Sequence, residues 1–167
     1  LGGAGAKVAI IDTGIHCTHE DLAPDCNFGA NFVNPPFAGD DHGHGTHTVG
    51  TIAAVGNNAL GVVGVNWNAK IMALKFLSAG GSGDLAAGIR ALQYAADMGA
   101  RISSNSWGCD CANSAMDDAV KYEHDRGMVT VVAAGNDNAD AIDFSPADSD
   151  YSVTVAASDP TDLKASF

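Results

Sequence analysis

Basic side chains are scarce in this sequence, and their scarcity removes whole classes of function at the outset. Eight Lys and Arg stand against twenty Asp and Glu, a formal net charge of −12 at pH 7. Such a chain repels nucleic acid and anionic membrane surfaces, and no basic patch offsets the repulsion. Neither is expected as a partner. Long apolar runs are missing too: none approaches the roughly 18 residues of a membrane-spanning helix. Five prolines are too few for a Pro-rich linker protein. Cysteines are few, at Cys17, Cys26, Cys109 and Cys111. Four thiols allow three complete pairings, and sequence does not choose among them. A Cys17–Cys26 bond would close a short surface loop. Cys109 and Cys111 stand so near each other that a mutual bond is geometrically awkward. Four reduced thiols are the alternative, so the redox compartment is only loosely bounded.

What is present suits one folded domain. The 167 residues are 46% hydrophobic and 17% charged, enough for a real core and unlike a disordered or fibrous chain. Twenty glycines imply close backbone approaches and sharp turns. After a flexible opening over 1–6, Lys7–Ile11 reads as a buried parallel strand delivering Asp12 at its end. Loops around a short strand near 28–33 follow, broken at Pro35-Pro36. A buried helix is expected over 44–55, a strand over 71–76 and a glycine-rich turn at 80–83. Leu85, Ile89, Leu92 and Ala96 then repeat at helical spacing and predict a helix over 84–98. A strand over 101–105 precedes a helix over about 115–126, where Ser114 and Asp117 form a capping-box pattern and Met116, Ala119 and Val120 face inward. Strands over 128–133 and 151–156 complete the series. Strands alternating with helices predict an α/β fold of three layers, a mostly parallel sheet flanked by helices. Ligands of such folds bind beyond the carboxyl ends of the strands, the edge where Asp12, Ser106 and Asn136 fall.

Three segments carry chemistry: Ile10-Ile11-Asp12-Thr13-Gly14, His44-Gly45-Thr46-His47-Thr48-Val49-Gly50, and Ala133-Ala134-Gly135-Asn136. A carboxylate ending an apolar strand needs a donor, and an imidazole is a natural one, since the carboxylate fixes its tautomer and stabilises its cation. Glycines beside His44 leave room for a substrate. An amide at Asn136 can donate to a developing oxyanion. Acid, base and oxyanion donor are three parts of acyl-transfer machinery.

Together the three segments resemble the subtilisin-like serine proteases, in the same order and at comparable spacing along essentially the whole chain. The resemblance implies Asp12 as catalytic acid, His44 as base and Asn136 as oxyanion donor. It implies that Ser106, Trp107 and Gly108 form the edge on which an extended peptide or protein substrate adds as a strand, with Ala133, Ala134 and Gly135 in one wall of the specificity pocket. It also implies a structural calcium held by Asp21, Gly56, Asn58, Leu60 and Val62, a hard oxygen shell, and no catalytic metal. Secretion, synthesis as a zymogen and a propeptide partner follow as family expectations.

The family's nucleophile stands in a Gly-Thr-Ser-Met-Ala-like motif, and none occurs among these residues. The chain therefore reads as the N-terminal and central part, 1–167, of a single peptidase domain truncated at both ends, inactive alone, with the serine expected outside it or on a companion chain. A catalytically inactive peptide-binding homologue is the alternative. Asp40, Asp41, His42, His44 and His47 would suit a zinc hydrolase if they converged. Gly2, Gly3 and Gly5 suggest nucleotide binding only by composition, because they precede the first strand.

Overall fold

The computed structural model describes residues 5–22, 24–33 and 39–167. Pro35-Pro36 lies outside them, as does most of the opening segment. Strands β1 (Lys7–Asp12), β2 (Cys26–Asn31), β3 (Lys70–Lys75), β4 (Ile102–Asn105), β5 (Val129–Ala133) and β6 (Ser152–Val155) form one sheet in the order β2-β3-β1-β4-β5-β6. Every pairing is parallel. Helices α1 (His44–Ala53), α2 (Leu85–Asp97) and α3 (Ser114–Asp125) complete the scaffold.

Strand alternation creates the layers. On β1 and β3, Ala9, Ile11, Met72 and Leu74 face α2 and α3, meeting Ala91, Leu92, Met116 and Val120. Their neighbours Val8, Ile10, Ile71 and Ala73 face the other way, onto Val49 and Ala53 of α1. Side chains alternate across a strand, so a run buried at every position needs cover on both faces. The expected three-layer α/β fold is therefore the observed one.

Boundaries shift by at most two residues from the sequence reading, β2 included, which runs from Cys26 to Asn31. The cap of α3 also differs. Asn113, extended at φ −138 and ψ 105, is the N-cap, and its side chain accepts from Met116 N at 3.0 Å. Ser114 is already helical, so no Ser114–Asp117 capping box forms; Asp117 instead accepts from the Ser149 hydroxyl at 2.5 Å. On α2 the buried stripe runs through Ala87, Gly88, Ala91, Leu92, Ala95 and Ala96, with Leu85 and Ile89 at its half-buried flank. Both cysteine pairs are bonded, Cys17–Cys26 and Cys109–Cys111. The second corrects the expectation from spacing: the chain bends at Asp110, beside an antiparallel bridge between Cys109 and Ser145, and the two Cα atoms lie 5.3 Å apart, inside the usual range.

One buried acid ties three elements together. Glu123 of α3 is wholly buried. The Ser103 hydroxyl of β4 and the Thr130 hydroxyl of β5 donate to its Oε2 at 2.5 and 2.6 Å, while Oε1 has no partner among the described residues. Burial pushes the carboxyl up, the two hydroxyl donors pull it down, and the net result is a rise from 4.5 to about 7. A raised acid binds its proton more tightly folded than unfolded. Stability is therefore full below about pH 4.5, falls as pH rises to about 7, and is level beyond that. The loss across this window amounts to about 3 kcal/mol. Glu123→Gln, which cannot ionise, should abolish that decline in urea unfolding measured from pH 4.5 to 8; an equal slope in both proteins would refute the assignment.

Candidate active site

The site is built where β1 ends and α1 begins. Parallel strands end together, so Asp12 closing β1, Ser106 just after β4 and Asn136 three residues after β5 lie along one sheet edge, in that lateral order. Asp12 is 1% exposed. His44, the first residue of α1, sets its Nδ1 against both carboxylate oxygens at 2.8 and 2.9 Å. Thr13 N also donates to Asp12 Oδ1, at 2.6 Å. An imidazole nitrogen facing a carboxylate carries the proton, which leaves Nε2 as the basic nitrogen. The ring is 42% exposed and borders a cleft of about 600 Å³, shared with Thr13, Ser106, Trp107 and Gly108.

Helix α1 starts without a side-chain cap of its own, because its N-cap is Gly43. Four amides at a helix start need acceptors. Asp40 takes two of them, Gly43 N at 2.8 Å and Thr46 N at 2.9 Å, and accepts as well from His42 N at 3.0 Å and the Thr46 hydroxyl at 2.6 Å. Thr13 takes a third, accepting from Gly45 N at 3.0 Å and donating to Asp40 at 2.8 Å. The residue following the acid thus holds the helix that carries the base. Burial raises the Asp40 carboxyl, but the combined donors from Thr46, Gly43 and His42 outweigh it and hold the group near 2.

Lys75 closes the arrangement from β3. It is 2% exposed, in register with Asp12, and donates to Thr13 O at 2.5 Å, Leu77 O at 2.8 Å and Asp41 at 2.7 Å. Neither Asp40 nor Lys75 enters the sequence reading in this role. A charge closing the apolar run Ile71–Phe76 was a usable signal, since a buried ammonium demands partners. So was an acid shortly before a helix start.

Other expected residues are placed as follows. Ser106, Trp107 and Gly108 line the His44 cleft, and the Trp107 ring packs edge-on against Phe76 with centroids 4.7 Å apart. Ala134 and Gly135 line a separate hollow with Asp137, Asn138 and Phe167. Asn136 is exposed. Asp21, 2% exposed, is wrapped by the loop that contains Gly56, Asn58, Leu60 and Val62. Asn58 Nδ2 donates to it at 2.6 Å and Val62 N at 3.4 Å, and a Cβ on Gly61 would lie 2.1 Å from its Oδ2. Positive φ at Asn57, Ala59 and Gly61 folds this loop. The side chains of the zinc alternative do not converge. Asp40 holds backbone amides, Asp41 pairs with Lys75 and His44 with Asp12; among the described residues no three His, Cys, Asp or Glu groups gather around a metal position.

Comparison with known proteins agrees with this geometry. A model of the subtilase family, Peptidase_S8, matches residues 3–167. Thermitase of Thermoactinomyces vulgaris is 42% identical over 166 residues, covering 99% of this chain and 59% of its own length. A thermophilic serine proteinase of Bacillus sp. (strain AK1) is 41% identical over 167 residues, covering 99% of this chain and 41% of its own. The crystal structure of a cold adapted subtilisin-like serine proteinase superposes with a TM-score of 0.89 at 33% identity, covering 99% of this chain and 59% of that one. The chain thus spans about half the length of these relatives.

Asp40→Asn should lower stability at pH 7 by about 1–2 kcal/mol, as loss of a helix cap does. The carboxylate's contribution is present above its unfolded value near 4 and lost as pH falls through about 2. The two proteins' thermal unfolding curves should therefore converge toward pH 2; a gap that persists there would show that charge is not the cause.

Proposed function

The chain belongs to the subtilase family, and on that premise we propose that it supplies the acid–base half and the peptide groove of a serine endopeptidase. The observation that carries this reading is the contact of Asp12 with His44 at the mouth of the cleft. A substrate strand lies along Ser106, Trp107 and Gly108. His44 Nε2 takes the proton of a serine hydroxyl as that oxygen attacks the scissile carbonyl, then returns it to the leaving amine. Asp12 keeps the tautomer and stabilises the imidazolium. Asn136 donates to the oxyanion, and Ala133, Ala134 and Gly135 border the pocket for the residue before the scissile bond.

No serine of these 167 residues stands in a Gly-Thr-Ser motif, so the nucleophile of this scheme comes from polypeptide outside them, downstream or on a companion chain. The same fact favours a second reading, a groove that binds peptide without cleaving it. Extracellular action on protein, after release of a propeptide, is the setting of this reading; the acidic composition suits it. No helix among the described residues is long and apolar enough to cross a membrane.

Assay of the 167-residue chain should show peptide binding and no hydrolysis. Hydrolysis should appear with polypeptide carrying the serine segment and vanish with His44→Ala. In that complete enzyme Asn136→Ala should lower kcat by about 10²–10³-fold; an unchanged kcat would remove Asn136 from the scheme.

Calcium fits the Asp21 loop by donor chemistry. The loop offers a buried carboxylate, an amide and backbone carbonyls, and among the described residues no basic side chain pairs with Asp21. Hard oxygen donors of this kind select calcium. Asp21 and Asn58 would contribute side-chain oxygens, and Gly56, Leu60 and Val62 carbonyls, pinning the loop against α1. Added calcium should raise the melting temperature of the native chain, and Asp21→Asn should erase that rise; equal rises in both would place the ion elsewhere.

A further inference from the structure

The two disulfides differ in what surrounds them. Cys17 and Cys26 pack against the core layer beneath α1. Cys109 and Cys111 pack against neither core cluster. All four cysteines are half-buried, but Cys109 and Cys111 lie in the wall of the His44 cleft, directly after Ser106, Trp107 and Gly108.

Their bond spans a single residue, Asp110. Cross-linking such close neighbours removes little freedom from the unfolded chain, because loop-closure entropy grows with the residues enclosed. The flanking backbone is also held without it. Cys109 N donates to Ser145 O at 2.9 Å and Ser145 N to Cys109 O at 3.1 Å, and α3 begins on its own Asn113 cap. What remains for the bond to fix is the short stretch between those two anchors, which forms one wall of the cleft. Access is from that same cleft, since both cysteines border it.

We propose that Cys109–Cys111 is a thiol-exchange site, open to small dithiols through the cleft, whose redox state sets how tightly the cleft holds an extended peptide. The exchange half stands on core packing, cleft access and topology; the affinity half rests on the groove reading above. In the exchange, a thiolate of the dithiol attacks one cysteine sulfur. The Sγ–Sγ bond breaks and its electron pair leaves on the other sulfur, giving a mixed disulfide. The second thiol of the reagent displaces the first cysteine and closes a cyclic disulfide. The protein gains two electrons and two protons, and the dithiol is oxidised by the same amount. Freed of the bond, Cys111 and its neighbours gain conformations, and a wall that must be ordered on binding holds peptide less tightly.

The test uses the native chain with Trp67→Phe, so that Trp107 becomes the only emitting indole. Brief exposure to dithiothreitol, alkylation and mass mapping should find Cys109 and Cys111 modified about ten-fold faster than Cys17 and Cys26. The melting temperature should move by less than about 2 °C. Trp107 emission should shift, and a labelled extended oligo-alanine peptide should bind about five-fold more weakly. The doubly substituted Cys109→Ser, Cys111→Ser chain, with Cys17–Cys26 intact, should match the reduced form. Equal reduction rates at both pairs would overturn the proposal, as would unchanged emission and affinity after reduction. Failure of the oxidised chain to bind any peptide counts instead against the groove reading, and Trp107 emission with the mapped rates then decides the exchange site alone.

Discussion

The close approach of β1's end to α1's first turn governs the site. A Cβ on Gly45 would lie 2.1 Å from the Gly14 carbonyl oxygen and 3.3 Å from Asp12 Oδ1. Gly14 itself holds φ +104 with the Gly39 carbonyl 2.4 Å from its own Cβ position. Only glycine meets both conditions. With the two backbones in contact, His44 at the head of the helix has little choice but to meet the carboxylate at the end of the strand. The helix's positive end also lies at Asp40 and near Asp12, where it favours two anions in a crowded space.

The molecule is strongly acidic outside, yet the ionisable groups it buries each find a different solution. Asp12 faces an imidazole and an amide. Lys75 spends its three protons on two carbonyls and Asp41. Glu123 has two hydroxyl donors and is pushed toward its neutral form. An unpartnered buried charge is far costlier than any of these arrangements. Asp12 and Lys75 close β1 and β3, and Glu123 joins Ser103 of β4 to Thr130 of β5 near the starts of those strands, so the polar contacts that settle buried charge also fix neighbouring strands relative to one another.

The sheet was legible because its strands are continuous apolar runs closed by glycine or polar turns, as in Lys7–Ile11 and Met128–Ala133. The Asp12–His44 pairing was legible because both residues sit in short, information-rich segments whose glycines have a steric reason. Long-range polar partners were not. Nothing local in the sequence assigns Thr13 to Asp40 across 27 positions or Glu123 to Thr130 across a strand junction. The α3 cap went to Asn113 rather than Ser114 because either side chain suits a helix start, and backbone φ decided it. The Cys109–Cys111 bond was hidden for a similar reason: spacing alone does not give the chain's bend at Asp110, which leaves the two Cα atoms 5.3 Å apart.

The two halves of the candidate site are supported unequally, and the sheet order explains it. β1 lies between β3 and β4, under α1 on one face and α2 with α3 on the other, so Asp12 and His44 are set by the chain's own core. β5 and β6 form the far side, where Val129, Val153 and Val155 are about half exposed. Asn136 leaves from that side. Full burial of a Val side chain is worth about 1.5–3 kcal/mol, so this flank lacks the packing that fixes β1. Asp12 and His44 are thus pre-positioned by interior contacts, whereas Asn136 follows a thinly covered strand pair.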